Sequence, residues 1–249
     1  MAWSVLRVTA MENRRPTAIP LERLTVDEML ACIEPFTATR PEELEVLSRS
    51  VVRTRKSTGT VLLREGTHPD GLFVVLRGRV NLVRAADGGR DIILSSLGPG
   101  DVFGEACAVE GVGASTTAVA AVASDIARIP ADVLVAHLRR DPNTLARMMR
   151  MMSEKLRDVE SVASGLALCD VEERLRRTLV RLAKRQGRHS PADDGWILAP
   201  VPTQSELARM VGSCRETVSR TLSSMARSGL LSSTGRRMIL GESLMSEAM

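Results

Sequence analysis

The sequence predicts an α+β protein: a small antiparallel β domain, then a long helix, then a helix-turn-helix with a hairpin. Between Val51 and Ile129 short apolar runs alternate with glycine-centred turns, which is typical of a small barrel or sandwich. A helical pattern then continues from Asp141 to about residue 168. Residues 170–249 contain helix, tight turn, helix and hairpin in that order, the arrangement of a winged helix-turn-helix.

Composition narrows the class of protein. The 249 residues are 44% apolar and 26% charged, ordinary values for a globular chain. No run approaches the roughly 20 apolar residues of a membrane span, and the start lacks the apolar core of a secretory signal. We therefore expect a cytoplasmic protein without a membrane partner.

Cysteines and histidines give no metal-binding pattern. None of the cysteines forms a C-x-x-C pair, and no histidine has a partner four residues away; they are Cys32, Cys107, Cys169, Cys214, His68, His137 and His189. Such spacing favours free thiols in a reducing compartment over a zinc or iron–sulfur site. We expect neither a metal nor another cofactor.

Four segments follow from the pattern along the chain. Residues 1–24 are polar and aperiodic and predict a flexible extension, and residues 25–140 form the β domain with a helical start. Residues 141–169 form the long helix, with Asp141 as N-cap and Pro142 first, and residues 170–249 form the helix-turn-helix domain. Within the β domain, Asp87-Gly88 is the strongest hairpin signal.

The long helix has an apolar stripe at three- and four-residue steps. Its members are Leu145, Met149, Met152, Leu156, Val159 and Ala163. A helix of roughly 40 Å extends beyond a small domain, so part of the stripe requires another partner. A parallel copy of the same helix would give a two-stranded coiled coil and a homodimer. The alternative is a helix packed wholly within one chain.

Two capping boxes define the helix-turn-helix. Thr203 with Glu206 begins the first helix, and Ser213 with Glu216 is expected to begin the second. Val218, Leu222 and Met225 then face inward.

The second helix therefore presents Arg215, Glu216 and Arg220 outward from its start. Arginine reads guanine O6 and N7, and glutamate accepts from cytosine N4. From Val171 to Leu240 there are 13 Lys/Arg against 6 Asp/Glu, a surplus of 7 within a chain of net charge +4. The alternative is a surface ion pair between Glu216 and Arg220, which leaves two exposed arginines in a basic domain unexplained. The pattern favours DNA reading.

From about residue 25 onward the chain resembles the Crp/Fnr family of bacterial transcription regulators. The resemblance is carried by QSELARMVGSCRETVSRTL and, upstream of it, by GLFVVLRGRV and LGPGDVFGE. The resemblance implies a homodimer with an N-terminal cyclic-nucleotide-binding-like β-roll, a dimerisation helix and a C-terminal winged helix-turn-helix. It implies that Arg215, Glu216 and Arg220 contact bases of TGTGA-like half-sites in double-stranded DNA, spaced about one helical turn apart. It also implies RNA polymerase as a partner.

By the same resemblance, Thr203, Ser205 and Thr217 match positions that hold phosphates. The family's usual Cys-Ser is here Ser213-Cys214, so the Cys214 thiol replaces a hydroxyl that contacts the DNA backbone.

The resemblance also implies a ligand pocket at Gly104, Glu105, Ser115 and Thr116. Gly104 and Glu105 match the pair that holds the ribose in cyclic-AMP-responsive members, although they could persist only as part of the turn. In those members an arginine binds the phosphate and is expected within residues 110–120, but this segment contains no basic residue. A Thr-Ser pair reads the adenine in those members, and Val159 and Glu160 stand at its positions here. We therefore expect a regulator that does not depend on cyclic AMP.

Two other classes of function are weighed against DNA binding. An enzyme is not expected, because no nucleophile–base set, phosphate-cradling glycine loop or metal cluster is visible. The other alternative is a ligand-sensing or interaction module that has lost DNA binding. Substitution of Arg215 and Arg220 distinguishes it from a DNA-binding regulator, because only the regulator would lose operator binding.

Overall fold

The computed structural model describes residues 19–85 and 91–247. It divides into two compact units, which are described separately below. The N-terminal unit comprises residues up to Asn81 with Leu97–Lys155, and the C-terminal unit comprises Leu82–Ser96 with Leu156–Met249. No helix in the described ranges is both long and apolar enough to cross a membrane.

The N-terminal unit begins earlier than predicted. Leu24, assigned above to a flexible extension, is buried in the core, and a short 3-10 helix covers Leu21–Arg23. Arg53 Nη1 donates to the Leu24 carbonyl over 2.8 Å. The extension prediction is therefore wrong for residues 21–24, because leucines three residues apart pack into the domain; residues 1–18 lie outside the described part.

Two helices open this unit as the sequence predicts. Helix α1 covers Val26–Ala31 and starts from a capping box of Thr25 and Glu28, and helix α2 covers Pro41–Ser48 with proline first. Two further helices, α3 and α4, were not predicted; they cover Glu105–Glu110 and Ala131–Arg140.

In the residues that the structure describes, eight short strands follow helix α2, as the glycine-punctuated pattern indicates. They are β1 Val52–Lys56, β2 Val61–Leu63, β3 Gly71–Arg77, β4 Val80–Ala85, β5 Asp91–Leu97, β6 Val102–Phe103, β7 Thr117–Ala120 and β8 Ser124–Pro130. Two four-stranded sheets form, in the orders β1-β8-β3-β6 and β2-β7-β4-β5. The hairpin predicted at Asp87-Gly88 falls on residues outside the described ranges.

Strand β3 is the centre of the first sheet. It pairs antiparallel with β8, where Leu72 lies opposite Ile129 and Val74 opposite Ala127. All four side chains are fully buried. The near-continuous apolar run of β3 thus reflects burial on both faces.

Helix α5 covers Pro142–Leu168 as predicted, and Asp141 accepts hydrogen bonds from the Asn143 amide and the Thr144 hydroxyl. The C-terminal unit continues with α6 Val171–Gln186, β9 Arg188–Ser190, β10 Gly195–Leu198, α7 Gln204–Val211, α8 Arg215–Arg227, β11 Leu231–Thr234, β12 Arg237–Gly241 and α9 Glu242–Glu247. Its sheet order is β11-β12-β10-β9. Strand β9 and helix α9 were not predicted. Strand β9 is three polar residues whose partner, Trp196 for His189, is known only after pairing, and α9 has only six residues.

Candidate nucleic-acid interface and effector pocket

Helices α7 and α8 form a helix-turn-helix around Gly212. Gly212 ends α7 in the left-handed conformation with φ of 63°, which a residue with a side chain adopts only at a cost. Thr203 and Glu206 form the predicted capping box at the start of α7. The turn is therefore fixed at both ends by local chemistry.

Buried contacts hold α8 in one orientation. Val218, Leu222 and Met225 are buried in the core of the C-terminal unit, as predicted. Arg174 of helix α6 donates from Nε to the Val211 carbonyl over 2.8 Å. The opposite face of α8 is thereby fixed toward solvent.

Arg215, Glu216 and Arg220 are all exposed on that outward face. The backbone amide of Glu216 and the Cys214 thiol hydrogen-bond the Glu216 carboxylate, and nearby Arg215 and Arg220 attract it, which together lower its pKa. In the part of the chain that the structure describes, no ion pair within 4.0 Å joins Glu216 to Arg220, whose Nη2 instead lies 3.4 Å from Thr217 Oγ1. The three side chains are thus available to a ligand in the solvent.

The predicted second capping box does not form. Helix α8 starts at Arg215, so its N-cap is Cys214 and not Ser213, and no side chain caps it. The Ser213 amide instead donates to the Ala208 carbonyl within the turn, which moves the helix start one residue along. Cys214 is exposed, with Sγ 3.1 Å from Thr217 Oγ1.

The candidate phosphate-binding side chains lie around the two helix starts. Thr203 and Ser205 are exposed at the beginning of α7, and Thr217 is half-buried in α8. The Thr203 hydroxyl already donates to Glu206 Oε2 over 3.0 Å. A phosphate contact by Thr203 would therefore compete with its capping role, whereas the Ser205 hydroxyl has no such engagement among the described residues.

Helix α5 carries an exposed apolar face within the single chain. Every member of the predicted stripe is exposed, with Met149 at 65%, Leu156 at 59% and Val159 at 54%. Apolar side chains of this size in one row are typical of a contact surface. Met148, three residues after Leu145 and four before Met152, lies at the edge of this stripe and is buried in the N-terminal core.

Glu105 and a lysine that sequence reasoning missed form the centre of the candidate effector pocket. Lys155 Nζ donates to Glu105 Oε1 over 2.7 Å and to the Val102 carbonyl over 2.8 Å. The Glu105 Oε2 atom is buried and has no hydrogen-bond partner within the described ranges. Lys155 lies off the apolar stripe of α5, and its separation of 50 residues from Glu105 gives no local signal in the sequence.

Gly104 has a structural reason to be glycine. Its φ is 82°, and a Cβ atom there would lie 3.0 Å from the Gly71 carbonyl oxygen and 3.1 Å from Phe73. Ser115 is exposed and Thr116 half-buried, on a segment whose Ala114 is buried. The Gly104-Glu105 pair is therefore consistent with a turn requirement as well as with ligand binding.

Glu43, His137 and Asp141 form a polar cluster in the N-terminal unit that the sequence did not reveal. His137 Nδ1 lies 3.5 Å from Glu43 Oε2, and Nε2 lies 3.8 Å from Asp141 Oδ2. One candidate ligand atom from each of the three side chains lies within 4.8 Å of the other two. The contacts given above join the two carboxylates to opposite nitrogens of the imidazole, so the carboxylates flank the ring.

The segment Leu82–Ser96 belongs to the C-terminal unit, although it was predicted within the β domain. Asp91 Oδ2 accepts from Arg209 Nη1 of α7 over 2.6 Å, and Ile93 is buried in the core that contains Val218. Gln186 Nε2 donates to the Ser96 carbonyl over 2.6 Å. Strand β5 is thus part of the support of the helix-turn-helix.

Family comparisons agree with this architecture. The family profile for the cyclic nucleotide-binding domain matches residues 53–141, and that for the Crp-like helix-turn-helix domain matches residues 173–242. A β-roll domain, a long helix and a basic helix-turn-helix define a class of DNA-binding transcription regulators. The chain belongs to the Crp/Fnr family of transcription regulators.

Named relatives are transcription regulators and not enzymes. The chain is 26% identical over 220 residues to the CRP-like cAMP-activated global transcriptional regulator of Mycobacterium tuberculosis, covering 88% of this chain and 96% of the relative. It is 28% identical over 203 residues to the cAMP-activated global transcriptional regulator Vfr of Pseudomonas aeruginosa, covering 80% and 94%.

Solved structures share the fold. The c-di-GMP responsive global regulator CLP of Xanthomonas campestris has a TM-score of 0.65 at 28% identity, covering 81% of this chain and 99% of that one. FixK2 of Bradyrhizobium japonicum has a TM-score of 0.71 at 21% identity, covering 79% and 96%, and this likeness concerns the fold alone.

Proposed function

We propose that this regulator acts as a homodimer on palindromic DNA with TGTGA-like half-sites and does not depend on cyclic AMP. One observation carries the proposal: Arg215, Glu216 and Arg220 are exposed together at the start of α8 while its other face is buried. Side chains at the start of a recognition helix are those that reach base edges in the major groove. Ser205, Thr217, Cys214 and Thr203 would surround them as backbone contacts.

Base reading is tested by fluorescence anisotropy with a labelled palindromic duplex at fixed salt. Arg215→Ala and Arg220→Ala should each cost about 1–3 kcal/mol of binding free energy, roughly a 5- to 150-fold rise in Kd. Arg227→Ala, an exposed arginine at the other end of the same helix, is the matched control and should bind nearly as wild type. Unchanged DNA affinity in both Arg215→Ala and Arg220→Ala would mean that another surface of the protein recognises the bases.

Dimerisation is supported by the exposed α5 stripe. Replacing Leu156 with Glu places a charge in the row, whereas Ser161→Glu places one on an exposed part of the helix away from it. Light scattering should report a monomer for the first variant and a dimer for the second, and only the first should lose tight operator binding. A Leu156→Glu dimer at micromolar concentration would rule out this seam.

Independence from cyclic AMP rests on the pocket. Residues 110–120 contain no basic side chain, and Lys155 is already engaged by Glu105 and a carbonyl. Because both relatives named above are cAMP-activated, cyclic AMP is the first ligand to test. Operator affinity that is equal with and without the nucleotide would support the proposal, and tight binding only with the nucleotide would overturn it.

RNA polymerase is the further partner that we propose, since transcription regulators of this family act at promoters. Co-sedimentation of polymerase with the regulator on an operator-containing duplex, compared with the duplex alone, tests this contact.

A further inference from the structure

Arg174 of helix α6 bridges the ends of two other helices of the C-terminal unit. Its Nε donates to the carbonyl of Val211, the last residue of α7, over 2.8 Å. Its Nη1 donates to the carbonyl of Cys169, the residue that follows α5, over 2.7 Å. One guanidinium group therefore joins α5, α6 and the turn that leads into α8.

Both of these carbonyls lie at the ends of helices. The last carbonyls of a helix have no partner within it, and its C-terminus carries a partial negative charge. A guanidinium group can satisfy two such oxygens at once, because its N–H donors are planar and fixed relative to one another. In the ranges that the structure describes, no carboxylate lies within 4.0 Å of Arg174. The two helix ends are thus the partners of this cation.

Close packing supports the same three-way contact. Gly165 of α5 is buried, and a Cβ atom there would lie 3.8 Å from Arg174 Cγ, so the aliphatic part of the arginine passes close to this helix. A Cβ atom on Gly212 would lie 3.1 Å from Leu166 Cδ2. The end of α5 therefore lies beside the turn whose preceding carbonyl Arg174 holds.

These contacts fix α8 relative to the apolar stripe of α5. Of the stripe, Leu156, Val159 and Ala163 belong to the C-terminal unit and are exposed. In the proposed homodimer the stripes of two chains pack together, so the distance between the two α8 helices depends on how each is held to its own α5. Arg174 supplies that connection directly, because the chain itself reaches α8 only after α6, two strands and α7.

We propose that Arg174 is a positioning residue that sets the spacing at which the homodimer reads its two half-sites. This inference rests on the proposed function, since it requires two copies joined through α5. Without Arg174, each α8 keeps its base-reading side chains but loses its fixed position relative to the stripe. The two helices would then have to be ordered during binding, which costs affinity at the best-spaced site.

A series of duplexes tests the spacing. Two TGTGA-like half-sites are separated by the best spacer for the wild type or by one base pair more or fewer, a change of about 3.4 Å. Fluorescence anisotropy of the full chain at fixed salt gives the ratio of Kd for the altered spacer to Kd for the best one. Arg174→Met should lower this ratio by about fivefold or more, and it should bind a duplex with a single half-site as the wild type does. Arg177→Met, at an exposed arginine of the same helix paired with Glu173, should keep the wild-type ratio.

Loss of stability alone would not give this result. A partly unfolded variant binds all the duplexes more weakly by one common factor, so a wild-type ratio in Arg174→Met would overturn the proposal. Arg174→Lys is the second variant, in case the methionine protein fails to fold. It keeps the charge at the two helix ends without the planar pair of donors, and its ratio should also fall.

Amide hydrogen exchange tests the contact without DNA. Peptides that contain Gly212 should exchange faster in Arg174→Met than in the wild type, whereas Arg177→Met should match the wild type. An unchanged rate in Arg174→Met would overturn the role of Arg174 even if the protein binds the duplexes. A wild type without any preference among the spacers would instead overturn the proposed reading of paired half-sites, and with it the spacing role.

Discussion

Lys155 Nζ lies 2.7 Å from Glu105 Oε1, with the two side chains 25% and 12% exposed. This ion pair joins helix α5 to the start of α3 and places a cation beside the pair of residues that the sequence assigns to a ligand pocket. The pocket is thus internally neutralised, and any anionic ligand must compete with Glu105 for the same ammonium group.

Removing the lysine should destabilise the N-terminal unit. Lys155→Met leaves the Glu105 carboxylate without its cation and should cost about 1–3 kcal/mol of unfolding free energy, measured by urea titration. Arg49→Met breaks an exposed pair with Glu45, in which both side chains are about 70% exposed, and should change stability by less than about 0.5 kcal/mol. Equal losses in the two variants would mean that the pair at Glu105 behaves as a surface contact.

Ile93 should contribute to the stability of the C-terminal unit in spite of its distance along the chain. It is 2% exposed, so Ile93→Ala should cost about 2–5 kcal/mol, and amide hydrogen exchange should rise in α6 and α7. Val52→Ala, at an exposed strand position, is the control and should have little effect. Faster exchange confined to the N-terminal unit would contradict the assignment of Ile93 to this core.

Acid should weaken the N-terminal unit through His137. Burial lowers the pKa of His137 below its usual 6.5, while Glu43 and Asp141 partly offset the shift and Arg140 adds to it. The folded state then binds fewer protons than the unfolded chain below pH 6.5. The contribution of His137 to the free energy of unfolding is therefore complete above pH 6.5 and is lost as the pH falls from 6.5 toward the lowered pKa of the folded state. Urea midpoints at several pH values between 7.5 and 5 measure the slope.

Two histidine variants test whether His137 causes this dependence of stability on pH. His137→Leu should flatten the pH dependence, whereas His189→Gln, at an exposed histidine of the other unit, should leave it unchanged. A wild-type slope in His137→Leu would attribute the acid sensitivity to other groups.

Gly212 should be needed for its backbone conformation more than for space. Gly212→Ala places a side chain at φ of 63° and 3.1 Å from Leu166 Cδ2, but exposed Leu166 can move. The cost should be about 1–2 kcal/mol from the left-handed backbone. Gly229→Ala, with φ of 73° and nothing within 4 Å, should lose a similar amount.

The two glycine variants should differ in DNA binding. Only Gly212 lies in the turn that leads into α8, so Gly212→Ala should also weaken operator binding in the anisotropy assay. Equal operator affinities in the two variants would show that the turn tolerates the change without moving α8.

Local chemistry made part of the fold predictable. Thr203-Glu206 and Pro142 carry capping signals that need no tertiary partner, and the inward positions of Val218, Leu222 and Met225 follow from helical spacing alone. The second box failed because Ser213 satisfies its amide inside the turn, a choice between adjacent residues that spacing cannot resolve.

Relationships between distant residues could not be predicted. Lys155 meets Glu105, Arg209 meets Asp91, and His137 meets Glu43 only after the chain has folded. In the sequence, each of these residues has no neighbour that marks it as part of such a contact. The exposed trio on α8 was accessible to sequence reasoning because all three side chains lie within two turns of one helix.

The placement of Asp91 and Arg209, 118 positions apart, has a consequence for synthesis. A ribosome releases the strand carrying Ile93 long before α6, α7 and α8 exist, so that side chain has no native cover while more than half of the chain is still to be translated. The DNA-binding unit can therefore complete its fold only late in synthesis. A gene fragment that starts after residue 169 would encode the helix-turn-helix without one of its supports.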